Sequence, residues 1–181
     1  MIISICGKSG SGKSTLAKRL MNENSSYLEI DKVGHKVLTL REVQEELIKN
    51  FGNEVVKLNV VDRKKLGEIV FNKRKEMSKL ADITWKYMER EIDAFLENNK
   101  DKRIILDYLL LPLTKYFEMS DIKILLDTPL EERLKRTIKR DNITKEEFLL
   151  REKASIQYDE SKFDYVLKND EEIKRLVKKY D

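Results

Sequence analysis

This 181-residue sequence has little cysteine, little histidine and no long apolar run. Its single cysteine, Cys6, excludes a disulfide bond within the chain, and a reducing, cytoplasmic setting is therefore expected. The apolar runs are too short to cross a membrane, so no membrane partner is expected. The apolar start is also too short for a signal peptide, and none is expected. Internal repeats and low-complexity linkers are absent, as in a single folded domain.

Neither sign of charge dominates the composition. The chain has 37 lysines and arginines and 33 aspartates and glutamates, which gives a formal net charge of +4. The two signs are mixed along the whole chain, and this argues against a nucleic-acid-binding tail. A mild basic excess suits an anionic small molecule equally well. We therefore expect a small-molecule partner and no nucleic acid.

A glycine-rich stretch, Gly7 to Thr15, has the pattern G-x-x-x-x-G-K-[ST]. It follows a predicted buried strand, Ile2 to Cys6, and precedes a predicted helix, so its context is that of a phosphate-binding loop. Glycines let successive backbone N–H groups point at an anion, and the helix N-terminus adds positive charge. Lys13 is expected to reach the β- and γ-phosphates, and the Ser14 hydroxyl is expected to bind Mg²⁺. The nucleotide-binding candidates in the loop are Gly7, Ser9, Gly10, Ser11, Gly12, Lys13, Ser14 and Thr15.

Two aspartates are predicted at strand ends, where ligands sit in open α/β sheets. Asp31 follows a short strand, Tyr27 to Ile30, and is either a general base toward an acceptor hydroxyl or the N-cap of the next helix. Asp107 ends the strand that begins at Arg103, and either supports a metal ion or begins a turn. His35 lies on the helix after Asp31, where a packed or surface side chain is the simpler interpretation.

Three arginines share one face of a helix that opens at Thr128-Pro129, since Arg133, Arg136 and Arg140 recur at spacings of three and four. Such a face suits a lid that closes over phosphates, because the guanidinium fork binds phosphate oxygens in pairs. The alternative is a solvated face whose arginines pair with nearby carboxylates.

The remaining elements complete an alternating pattern. Further strands are predicted at 122–127 and 163–167, and Asn169 after the last strand either contacts the nucleotide base or simply ends the strand. Alternating strands and helices predict an α/β fold with a five-stranded parallel sheet covered on both faces. The stretch between Asp31 and Arg103 has no strand signal and should form a helical insertion. The predicted parts of the single domain are a core of 1–31, 103–130 and 156–181, an insertion of 32–102 and a lid of 131–155.

The order of these motifs resembles the dephospho-CoA kinase family, P-loop proteins of the nucleoside monophosphate kinase group. The resemblance lies in the following segments: 7–14, 30–37, 51–52, 62–71, 139–141 and 163–169. It implies a three-layer P-loop fold and ATP- and Mg²⁺-dependent phosphorylation of the ribose 3′-hydroxyl of dephospho-CoA. By position, Asp31 would be the base or orienting acid, and His35 and Arg63 would lie near the acceptor. Arg136 and Arg140 would be catalytic lid residues.

The chain departs from the family pattern mainly on the acceptor side. Glu29 replaces the first of two aspartates, and Trp85-Lys86 stand where the family has His-Pro. Arg133 and Ser155 replace glutamines. A nucleoside or nucleotide kinase with a remodelled acceptor pocket is therefore the alternative. A nucleotide-binding switch is a more distant alternative. It is suggested by a D-x-x-G string at 31–34 and by residues 72–75, which begin like a guanine-binding motif. We expect a monomer or a weak homo-oligomer.

Overall fold

The computed structural model describes residues 1–70 and 73–180. The chain divides into two compact units, one formed by Met1–Glu29 with Asn99–Asp181 and the other by Ile30–Asn98. The strands are β1 Ile2–Gly7, β2 Ser25–Glu29, β3 Val56–Lys57, β4 Val60–Val61, β5 Arg103–Asp107, β6 Ile122–Leu126 and β7 Tyr165–Leu167. The helices are α1 Lys13–Leu20, α2 Ile30–Val37, α3 Arg41–Phe51, α4 Arg63–Val70, α5 Arg74–Asn98, α6 Lys115–Glu118, α7 Leu130–Asp141, α8 Lys145–Lys153 and α9 Asp170–Tyr180.

The first unit is built on a parallel sheet with the strand order β2-β5-β1-β6-β7. The apolar run of β1 lies at its centre, and Ile3 and Ile5 are fully buried in one cluster with Leu16 of α1 and Leu176 of α9. The predicted α/β fold with a five-stranded parallel sheet is confirmed. Because β5 and β6 flank β1, the carboxyl ends of these three strands meet at one edge, where the glycine-rich loop begins.

The second predicted strand is wrong at its carboxyl end. It ends at Glu29, and Ile30 and Asp31 already belong to the first turn of α2. The last residue pair between β2 and β5 is Glu29 with Asp107, so the partner strand offers no further pairing beyond that point. Asp31 is therefore a helix residue, exposed to solvent.

The second unit is mostly helical, and its core gathers apolar side chains of α3, α4 and α5 around Leu47, Leu66 and Ile83. The prediction that this stretch lacks strands is wrong, because β3 and β4 form a small antiparallel hairpin. Leu58 and Asn59 both have positive φ in its two-residue turn, the conformation that matches the twist of a hairpin. Phe71 and Asn72, which end the family-like segment and begin the guanine-motif-like string, lie outside the described residues.

In the described part of the chain, helices that combine the length and apolarity needed to cross a membrane are absent.

Candidate active site

The glycine-rich loop joins the end of β1 to the start of α1, as predicted. The Ser11 N–H donates to the Lys8 carbonyl at 3.1 Å, and the N–H groups of Thr15 and Leu16 both donate to the Gly12 carbonyl at 3.0 Å. Gly12, just before α1, has a φ of 99° in the left-handed region. That conformation favours glycine and turns the backbone tightly at the helix N-terminus, where an anion is stabilised.

Gly10 lies where the loop contacts α7. Its φ is 79°, and a Cβ there would come within 2.6 Å of Thr137 Oγ1 and 2.7 Å of the Arg133 carbonyl. These contacts leave no room for a side chain. The loop is thus shaped both by its own backbone conformation and by the helix that carries the predicted lid arginines.

Asp107 lies beside the loop with two side-chain donors on one oxygen. Ser14 Oγ donates to Asp107 Oδ2 at 3.1 Å, and Tyr27 Oη donates to the same oxygen at 2.9 Å. Lys13 Nζ lies 4.0 Å from Asp107 Oδ1. Burial raises the pKa of Asp107, and the Lys13 charge and the two hydroxyl donors partly oppose that rise. The structure therefore brings together the predicted Lys13, Ser14 and Asp107.

Tyr27 is a member of this cluster that sequence reasoning missed. It lies on β2, and its partner in the register of the sheet is Ile105, two residues before Asp107. Two-residue alternation along a strand predicts that Tyr27 and Asp107 share a face of the sheet. That signal becomes usable only once the pairing of β2 with β5 is known.

The oxygen atoms of Ser14 and Asp107 suit Mg²⁺, which prefers hard oxygen ligands together with phosphate and water. Among the described residues, clusters of three or more histidines, cysteines or carboxylates that could hold a metal ion are absent. A metal ion at the loop would therefore depend on few protein ligands, as Mg²⁺ commonly does in phosphoryl transfer.

Arg136 and Arg140 both contact the loop from α7. Arg136 Nη1 lies 3.4 Å from the Gly10 carbonyl, and Arg140 Nη2 donates to Ser9 Oγ at 3.1 Å. Each also pairs with a carboxylate on its own helix, Arg136 with Glu132 and Arg140 with Asp141, both at 2.7 Å. The two arginines therefore pair with acids of α7 and also lie against the phosphate-binding loop.

Arg133 does not belong to that exposed face, so its placement with the other two arginines is wrong. It is 6% exposed and binds Glu152 of α8 through two hydrogen bonds of 2.8 and 2.9 Å. Lys8 of the loop binds the same carboxylate at 2.8 Å. The hydrogen bonds from Arg133, followed by that from Lys8, lower the pKa of Glu152. A buried cation needs such a partner, and α8 supplies it.

Ser11 and Arg136 both line two cavities beside the loop, of about 160 and 260 Å³. The Ser11 hydroxyl is buried and has no hydrogen-bond partner within the described residues. Asn169 lines the smaller cavity, but its Oδ1 accepts the Glu172 N–H at 3.0 Å. Asn169 therefore caps the start of α9 and lies beside the smaller cavity. Thr15 lines the larger cavity.

The second unit brings together two of the predicted acceptor-side residues. Arg63, the first residue of α4, places Nη2 2.7 Å from Nε2 of His35 on α2. Asp62 caps α4 by accepting the Lys65 N–H at 3.0 Å. Asp31 lies one helical turn before His35 on α2, where residues four apart share a face.

Comparison with known proteins identifies the family. The family model described as dephospho-CoA kinase matches residues 1–175. The dephospho-CoA kinase of Fusobacterium nucleatum is 33% identical and covers 100% of this chain and 95% of its own length. That of Aquifex aeolicus is 32% identical, with 97% of this chain and 92% of its own length covered.

Solved structures agree on the fold. The protein TT1252 from Thermus thermophilus superposes with a TM-score of 0.83 at 28% identity, over 99% of this chain and 95% of that one. The dephospho-CoA kinase of Campylobacter jejuni gives a TM-score of 0.61 at 24% identity, over 99% of this chain and 97% of that one, which shows the fold. The loop, the sheet and the full-length matches agree, and the chain belongs to the dephospho-CoA kinase family.

Proposed function

We propose that this protein transfers the γ-phosphoryl group of ATP to the ribose 3′-hydroxyl of dephospho-CoA, which gives CoA and ADP. The observation that carries the proposal is the match of the dephospho-CoA kinase model to residues 1–175, which includes the insertion as well as the nucleotide-binding loop. The match therefore covers the segment 30–98, where the acceptor is expected, together with the loop and the sheet.

On the donor side, the loop N–H groups and the α1 N-terminus hold the phosphates of ATP. Lys13 lies at the start of α1 and supplies a positive charge for the β- and γ-phosphates. Arg136 and Arg140 reach the loop from α7 and are placed to bind phosphate oxygens once ATP competes with Glu132 and Asp141 for them. Mg²⁺, held through Ser14 and Asp107, would neutralise the negative charge that builds up on the phosphates of ADP as it leaves.

On the acceptor side, Asp31 orients the 3′-hydroxyl and takes its proton. The 3′-oxygen forms the new bond to the γ-phosphorus, the bond from that phosphorus to the β–γ bridging oxygen breaks, and the electron pair leaves with ADP. His35 and Arg63, which contact each other at 2.7 Å, form the substrate-binding pair. Most of the rate then comes from positioning and electrostatics, as is usual for phosphoryl transfer.

A coupled assay with purified protein, ATP, Mg²⁺ and a panel of acceptors tests the proposal. Dephospho-CoA should give the highest kcat/KM of the panel. A higher kcat/KM with a nucleoside or nucleotide would overturn the proposal and support the alternative, a kinase with a remodelled acceptor pocket. Tight GTP binding with no acceptor phosphorylated would instead point to a switch. The D-x-x-G string that suggested a switch lies within helix α2, which gives that alternative no support.

The role of Asp31 is tested by Asp31→Asn, with Asp82→Asn on α5 as the matched control. We expect kcat to fall at least about a hundredfold while ATP binding is retained, and the control to stay near wild type. Unchanged turnover in Asp31→Asn would remove Asp31 from the mechanism without touching the assignment of the acceptor.

We also infer a cytoplasmic enzyme that is a monomer or a weak homo-oligomer, with one domain divided into core, insertion and lid. The chain has a single cysteine and therefore no disulfide bond of its own, which supports a reducing compartment. Light scattering at several protein concentrations tests the oligomeric state.

A further inference from the structure

The Tyr27 hydroxyl reaches the predicted metal-binding carboxylate from a neighbouring strand. The Tyr27 ring packs against the core cluster formed by β1, β5, β6, β7, α1 and α9, while its Oη donates to Asp107 Oδ2 at 2.9 Å. The ring and the hydroxyl therefore have different surroundings. The ring contributes to packing, and the hydroxyl lies among the polar groups of Asp107 and Ser14.

Asp107 depends on such donors because its residue is 1% exposed. A buried carboxylate that has lost contact with water is costly unless hydrogen bonds compensate it. Oδ2 receives both Tyr27 and Ser14, whereas Oδ1 faces Lys13 at 4.0 Å. Two donors on one oxygen fix the rotation of the carboxylate about its last bond, and this fixes where Oδ1 points.

The same hydrogen bonds also set the orientation of the Ser14 hydroxyl. Ser14 uses its only proton to donate to Asp107, so the lone pairs of its oxygen stay available to a cation. Without Tyr27, Asp107 would keep a single hydroxyl donor and would be free to rotate. The alignment of Ser14 with respect to the loop would then become less well defined.

We propose that Tyr27 is a positioning residue of the Mg²⁺ site, which holds Asp107 so that Ser14 and Asp107 bind the metal ion that accompanies ATP. The inference rests on the proposed kinase function only for the use of ATP and Mg²⁺, and is independent of the acceptor. Residues that orient metal ligands commonly change metal affinity by 10- to 100-fold when they are replaced.

The test is Tyr27→Phe, which keeps the ring and removes only the hydroxyl. Mn²⁺ binding is measured by electron paramagnetic resonance in the presence of a non-hydrolysable ATP analogue. We expect the Mn²⁺ dissociation constant to rise about tenfold. In the Mg²⁺-dependent assay, the concentration for half-maximal rate should rise similarly, with kcat at saturating Mg²⁺ near wild type.

Tyr165→Phe is the matched control. Tyr165 lies on β7, at the opposite edge of the same sheet, and its hydroxyl contacts Lys179 at 2.6 Å and Tyr180 at 3.3 Å. Its removal should leave Mn²⁺ affinity unchanged. In an Asp107→Asn background, Tyr27→Phe should have no further effect on Mn²⁺ affinity, because the interaction it supports is already lost.

Each outcome is decisive. The positioning role would be overturned if the Mn²⁺ affinity of Tyr27→Phe stayed within about twofold of wild type. It would also be overturned if Tyr27→Phe lowered Mn²⁺ affinity as much in the Asp107→Asn background as in the wild-type protein. If Mn²⁺ affinity falls as expected but dephospho-CoA is not phosphorylated by the wild-type protein, the proposed function fails while the inference about Tyr27 stands.

Discussion

Gly10 and Gly67 have opposite surroundings, and alanine at each should act in opposite directions. Gly10 has a φ of 79° and no room for a Cβ, whereas Gly67 lies inside α4 with nothing within 4 Å of its added Cβ. We expect Gly10→Ala to lower the free energy of unfolding by at least about 1–3 kcal/mol and to weaken ATP binding. Gly67→Ala should raise the free energy of unfolding by up to about 1 kcal/mol.

Urea unfolding of both variants measures the two changes under the same conditions. The steric explanation of Gly10 requires the two effects to differ in sign. A Gly10→Ala protein with wild-type stability and wild-type ATP affinity would contradict it.

Lys13 should contribute charge rather than packing. We expect Lys13→Met to lower kcat by at least about a hundredfold, because the developing charge on the phosphates loses its cation. Lys18→Met, at an exposed position of the same helix, is the control and should leave kcat near wild type. Steady-state kinetics at saturating Mg²⁺ checks both, and comparable losses in the two variants would mean that the helix, not the charge of Lys13, is responsible.

At single positions, the sequence indicated the glycine-rich loop, Lys13, Ser14 and Asp107, since local spacing carries that information. It did not indicate Tyr27, because the pairing of β2 with β5, which brings the Tyr27 hydroxyl to Asp107, cannot be read from local sequence. Asp31 was predicted at the end of a strand but lies in the first turn of α2. The sequence did not show where β2 ends, because that point is set by its pairing with β5.

The carboxylate of Glu152 on α8 connects helix α7 with the loop. It binds the buried Arg133 and the loop residue Lys8. Glu152→Gln leaves Arg133 without a full counter-charge, and we expect the free energy of unfolding to fall by about 1–3 kcal/mol at pH 7. Glu146→Gln, exposed on the same helix, is the control and should change it by less than about 0.5 kcal/mol. Calorimetry and urea titration provide the measurement.

The pH dependence of the free energy of unfolding should reflect the interactions of Glu152 with Arg133 and Lys8. Hydrogen bonds from Arg133 and Lys8 lower the pKa of Glu152 in the folded state. A carboxylate whose pKa is lower in the folded state than in the unfolded state stabilises the fold at pH values above its unfolded-state pKa. This stabilisation is lost as the pH falls through the folded-state pKa. The wild-type free energy of unfolding should therefore fall more steeply than that of Glu152→Gln between about pH 5 and pH 3. Equal slopes in this range would contradict the assignment.

Helical periodicity placed Arg133, Arg136 and Arg140 on one face, and the structure separates them. Spacing gives the angle of a side chain around its own helix but not which neighbour covers it. Because α8 packs beside Arg133 and supplies Glu152 and the Phe148 ring, 6.0 Å from the guanidinium, that arginine is structural. The capping box at Thr144 and Glu147, in contrast, involves residues only three apart in the chain, so it is a feature that local sequence can specify.

The two compact units of the molecule should respond to different ligands. The described phosphate-loop contacts and loop cavities lie in Met1–Glu29 and Asn99–Asp181, whereas His35 and Arg63 lie in Ile30–Asn98. We expect a non-hydrolysable ATP analogue to slow amide hydrogen exchange mainly in the first unit, and dephospho-CoA mainly in the second. Mass-spectrometric exchange measurements check this. Protection of the first unit alone by dephospho-CoA would contradict the placement of the acceptor on the insertion.

The sequence by itself determined the α/β class, the phosphate-binding loop and the family, because each depends on local patterns and motif order. Tertiary structure decided which charges are buried, where β2 ends and which strand supplies a donor to Asp107. Those features depend on contacts between residues far apart in the chain: Tyr27 with Asp107, Arg133 with Glu152, and Gly10 with α7. Such contacts follow from strand pairing and helix packing, which no local pattern specifies.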